Sequence, residues 1–144
     1  MNRFVQLAIC SLIVMAATAP AHAAGTATSN FNVTANLTSK CEITAAPAPV
    51  VFSYTSFETA AVPATGGGFT MRCTNLLPYT LSVPAGGTLI GLAYTLGTSA
   101  AGGTGAGLTA ATHSVTGSMA ANQSGDCAAG SCTATATHTL TVTY

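Results

Sequence analysis

The chain has 144 residues, of which only 4% are charged, with Lys plus Arg and Asp plus Glu balanced at 3 each. An ordinary globular domain carries about a quarter charged residues, so nucleic-acid binding has no electrostatic basis here and a polybasic membrane patch is excluded. Thr, Ala and Gly fill the space instead, which suits strands, small side chains and a protein that ends up inside an assembly, because so little charge keeps free copies apart poorly.

The first stretch reads as a targeting segment. Arg3 supplies a positive start, residues 4–18 form an apolar core, and Ala21-His22-Ala23 is a small-x-small cleavage site. That core is too short to span a bilayer, and no later run reaches the eighteen or so residues a transmembrane helix needs. Residues 1–23 are therefore expected to be a signal peptide and the mature chain to begin at residue 24. It would carry Lys40, Arg72, Glu42, Glu58 and Asp126 as its only formal charges.

"SNFNVTANLTSKCEI", residues 29–43, comes next and alternates apolar and polar side chains almost without error. Phe31, Val33, Ala35 and Leu37 share one face of a predicted half-buried strand. A strand so near the start of a mature chain frays unless something ties it down. "VVFSY" (50–54) follows "APAP" and reads as a short edge segment, since prolines are confined to edges and strand starts. "GGFTMRCT" places Phe69, Met71 and Cys73 on one face, "YTLSV" places Tyr79, Leu81 and Val83, and "LAYTL" places Leu92, Tyr94 and Leu96. The glycine-rich "GTSAAGGTGAGLTAAT" is expected to be a mobile loop or hairpin tip. "HSVTGSM" offers Val115 and Met119, and "ATATHTLTVTY" alternates from Ala134 to the apolar set Leu140, Val142 and Tyr144. No helical period stands out, and turn residues recur at the short spacing of all-β sandwiches and barrels.

Cleavage removes Cys10 and leaves Cys41, Cys73, Cys127 and Cys132. Four cysteines in an exported small domain imply two disulfides with three possible connectivities. The favoured pairs are Cys41–Cys73, which joins two predicted strands across a loop of about 33 residues, and Cys127–Cys132, which closes "CAAGSC". A metal held by Cys127 and Cys132 with Asp126 or His138 is the weaker alternative, because the C-x4-C spacing is wide for a structural zinc pair. No metal and no cofactor is expected.

Strand counting leaves an immunoglobulin-like sandwich one strand short, because the sequence stops at Tyr144 within the alternation of its last segment. An apolar groove along that segment would be an aggregation hazard. The opening strand is a surplus that matches this deficit. It could fold back in cis, or add to a neighbouring copy in trans; the alternation alone permits both.

Here the order of "FNVTANLTSKC", "GGFTMRCTN", "LAYTL" and a terminal "ATHTLTVTY" resembles the spore coat protein U domain, which builds the subunits of archaic chaperone–usher pili. The resemblance covers essentially the whole mature chain. "GDCAAGSC" departs from the family's usual Gly-x-Tyr approach to the last strand, and the region before it is reduced. The resemblance implies an incomplete immunoglobulin-like β-sandwich (41–144) preceded by a donor strand and linker (24–40). It also implies export through the periplasm to the cell surface, a periplasmic chaperone, an outer-membrane usher, and neighbouring copies joined in a homopolymeric fibre for adhesion and biofilm formation. Carried onto this chain, Phe31, Val33, Ala35 and Leu37 are the donor residues. Leu140, Val142 and Tyr144 line the acceptor groove, and the Tyr144 carboxylate anchors the chaperone.

An enzyme is not expected. His113 and His138 are the only histidines beyond the signal segment, no G-x-S-x-G elbow is present, and five charges give little material for a cleft of shifted pKa values. His138 reads instead as a groove or rim residue. The remaining alternatives are a pilus-tip adhesin, which would normally carry a receptor-binding domain in front of the donor strand, and a non-fibrous envelope or spore-coat protein with the strand inserted in cis.

Overall fold

The computed structural model describes residues 25–144, so the expected signal segment lies outside the described residues. The described residues fall into two units, 25–35 and 36–144. Residues 25–35 carry no strand pairing within the chain and are exposed. Alternation marks an apolar face; a strand also needs a neighbour to take its backbone N–H and C=O groups.

The second unit is all-β, with no helix among the described residues. Its strands are β1 (Cys41–Ala45), β2 (Val50–Val51), β3 (Val62–Pro63), β4 (Thr65–Gly66), β5 (Gly68–Cys73), β6 (Pro78–Ser82), β7 (Gly86–Leu89), β8 (Leu92–Thr98), β9 (Gly102–Thr104), β10 (Ala111–Met119) and β11 (Thr141–Thr143). One sheet runs β1-β5-β10-β8-β7 with β3 added to β10; a second runs β11-β6-β9; β2 pairs β4 alone. The pairings are antiparallel.

The core follows the predicted parity. Phe69, Met71 and Cys73 of β5, Tyr79 and Leu81 of β6, and Val115 of β10 are buried as one cluster. Leu92 and Tyr94 of β8 and Met119 of β10 form a second. His113 joins the first cluster, its Nε2 in a 2.9 Å hydrogen bond with the Tyr79 hydroxyl. Two expectations are corrected. The glycine-rich stretch is not wholly a loop, because Gly102–Thr104 pairs with β6. The last strand is shorter than its alternation, with ladder pairing to β6 only over Thr141–Thr143.

Both favoured disulfides are present. Cys41 and Cys73 face each other across β1 and β5, and their link contributes roughly 3–4 kcal/mol by restricting the unfolded chain. The sulfurs of Cys127 and Cys132, bonded to each other, offer no thiolates to a metal.

Beside the first disulfide, Glu42 accepts from Lys40 Nζ at 2.8 Å and from Arg72 at 2.6 Å. These hydrogen bonds, the one from Lys40 first, hold its carboxyl below the ordinary value of 4.5. A depressed folded-state pKa stabilises above the unfolded value, and that stabilisation disappears as pH falls through the folded value. Glu42→Gln is therefore expected to lower the urea midpoint slightly at pH 7 and to match wild type in acid well below pH 4.5. Paired denaturation curves at the two pH values check this; an equal deficit at both would remove the ionic contribution.

Candidate functional site

The main cavity is an open groove of about 690 Å³ in the second unit. Residues 47–54 line one side and residues 132–140 the other, and core residues such as Tyr94, Val115 and Met119 form its floor. The first wall exists because Pro47 and Pro49 keep this segment out of the large sheet, while Val50, Phe52 and Tyr54 alternate inward to pack on the two core clusters.

The second wall is set by two contacts. Leu140 packs against the first core cluster, and His138 Nε2 lies 2.6 Å from the Tyr94 hydroxyl. Ala134 and Ala136 line the groove as well, together with the threonines at 133, 135, 137 and 139. Among the described residues, residues 133–140 have no strand partner and make no backbone–backbone hydrogen bond. A wall of eight residues in extended conformation is about 26 Å long, and its row of free N–H and C=O groups is a template for another strand.

No Asp, Glu, Lys or Arg lines the groove. An occupant must therefore bring apolar side chains on one face and backbone donors and acceptors along its length. A charged ligand would lose its hydration without a counter-charge.

Of the expected acceptor residues, Leu140 lines the groove. Val142 lies opposite Leu81 in the β11–β6 pair and packs on the first core cluster, and Tyr144 is 58% exposed. The groove lining includes neither Val142 nor Tyr144. Of the expected donor residues, Phe31, Val33 and Leu37 are more than 80% exposed, and Ala35 is exposed too. Cys132 sits at the groove rim, which places the small disulfide loop beside the opening. The wall at 47–54 and the alanines at 134 and 136 were not among the expected site residues. The inward alternation of Val50, Phe52 and Tyr54 and the continuation of the Leu140 parity upstream are the signals that could have found them.

No protein-family model, curated protein or solved structure matches the chain.

Proposed function

We propose that the chain is a structural pilus subunit that polymerises by donor-strand complementation. On this reading residues 41–144 are an incomplete immunoglobulin-like sandwich, similar to the spore coat protein U domain, and the groove is the place of its last strand. A periplasmic chaperone fills the groove after export, and at an outer-membrane usher residues 24–40 of another copy replace it. The product is a surface fibre serving adhesion and biofilm formation.

The observation that carries this reading is the pairing of complementary halves within one sequence. The groove offers an apolar floor, no Asp, Glu, Lys or Arg, and a wall of unpaired backbone. The stretch from Phe31 to Leu37, seven residues and about 23 Å when extended, has one apolar face, exposed along its length, and fits within the length of that wall. Burying Phe31, Val33 and Leu37 would stabilise by roughly 1.5–3 kcal/mol each, against the cost of ordering the segment. Linking copies this way is head-to-tail and does not close, so growth is linear.

The test is expression of the chain together with a chaperone and usher of this type, followed by negative-stain electron microscopy. Thin surface filaments containing the chain are expected. A folded, secreted monomer that leaves cells bare would overturn the reading.

A further inference from the structure

Three bulky apolar residues project from the second unit where exposure is least expected. Leu76 and Leu108 are 77% and 88% exposed, and Phe57 is 72% exposed. Leu76 and Phe57 also hold left-handed backbone, at φ 64 and 66, a conformation that is costly for a large side chain. Their loops are fixed. The Leu76 N–H donates to the Gly105 carbonyl at 2.8 Å and the Gly107 N–H to the Cys73 carbonyl at 3.0 Å, which ties the two leucine loops together. The Phe57 N–H donates to the Gln123 carbonyl at 2.8 Å.

These features lie at opposite ends of β10, which spans nine residues and about 30 Å. Leu108 comes shortly before its first residue and Gln123 shortly after its last. The leucine end is also where residues 24–40 join the domain. The Lys40 N–H donates to Thr74 Oγ1 and the Thr74 N–H donates to the Lys40 carbonyl, both at 2.9 Å, so Lys40 is held as an extension of β1. The Phe57 end is a mouth of the groove, because Gln123 donates its N–H to the hydroxyl of the groove-lining Tyr54.

We propose that Leu76 and Leu108 of one copy seat against Phe57 of the next, as a second contact between subunits beside the inserted strand. The inference rests on the fibre reading above. With Lys40 clamped, only Thr38 and Ser39 separate it from Leu37, a reach of about 10 Å when extended. Once Leu37 is buried in a neighbour's groove, the mouth of that groove lies next to Thr74, and Leu76 follows two residues later. A strand that pairs antiparallel with residues 133–140 ends at the Tyr54 mouth, which is the Phe57 end. The contact is heterologous and repeats with every subunit, and it covers apolar surface that a free copy leaves in water.

Fibres carrying Phe57→Cys and Leu108→Cys together, treated with a short bis-maleimide and then denatured, should run as a ladder of multimers; either single variant should not. A second measurement avoids new thiols. Leu76→Ser/Leu108→Ser should shorten filaments several-fold after mild urea treatment, while the melt of the chaperone-bound subunit stays at the wild-type value. Full-length fibres with neither ladder nor added urea sensitivity would overturn this contact and leave the fibre reading standing. Absence of fibres from wild type as well would overturn both.

Discussion

Val33→Asp is expected to convert the subunit into a fibre cap. In trans assembly each copy has two separable parts, an opening segment that donates and a groove that accepts. Asp at position 33 would carry a carboxylate into a groove with no Lys or Arg in its lining, at a cost of several kcal/mol, and each 1.4 kcal/mol is about tenfold in binding. Donation should therefore fall by more than about a hundredfold, while the groove is unaltered and still takes chaperone or a neighbour's strand. Mixed with wild type, the variant should shorten filaments in proportion to its dose. Ala136→Asp supplies the contrast. Ala136 is exposed on the groove wall, so its replacement leaves the packed core alone but places a charge where the incoming strand must lie. That variant should lose the chaperone complex first and should not shorten wild-type filaments. Filament lengths by electron microscopy, with a chaperone pull-down, separate the two. Equal behaviour would refute the division into donor and acceptor, and loss of the folded monomer in both variants would favour insertion in cis.

The core was legible because it rests on the simplest signal, period-2 alternation. Phe69, Met71 and Cys73, Tyr79 and Leu81, and Leu92 and Tyr94 are buried on the faces their spacing predicts, and the disulfide pairs follow from strand placement and a tight loop. Alternation reports which face is apolar, however, and not which neighbour supplies hydrogen bonds. Residues 134–144 alternate throughout, yet only Thr141–Thr143 pairs, and residues 29–37 alternate without pairing. The same ambiguity hid the groove's first wall, where Pro47 and Pro49 read as an edge and only Val50–Val51 pairs, with β4. β9 lay hidden in the glycine-rich stretch, because glycine carries no side-chain period to read. The projections at Phe57 and Leu76 were invisible for another reason: left-handed backbone is expected at Gly or Asn, yet each holds the third position of a tight turn, closed by the Glu58 N–H on the Thr55 carbonyl and the Leu77 N–H on the Thr74 carbonyl.

A synthetic peptide of residues 26–38 is expected to raise the melting temperature of the Val33→Asp chain, which keeps an intact groove but a disabled donor of its own. The peptide offers Phe31, Val33 and Leu37 to the floor built on Tyr94, Val115 and Met119, and its backbone can pair with residues 133–140, which the described structure leaves without a ladder. A ligand at about 100 times its Kd stabilises the state it binds by roughly 2.7 kcal/mol. For a domain of about 100 residues each kcal/mol is worth about 4–8 °C, so the shift at that peptide concentration should be on the order of 10–20 °C. It should grow logarithmically with peptide concentration, and it should vanish when the peptide itself carries Asp at position 33, because the charge then meets the same apolar lining. Adding Ala136→Asp to the chain should also abolish it, which ties the effect to the groove rather than to nonspecific coating of a nearly uncharged surface. Calorimetric melts across a peptide titration provide the measurement. A cooperative melt that neither peptide moves would mean that the groove needs no added strand, and the incomplete-sandwich reading would be lost.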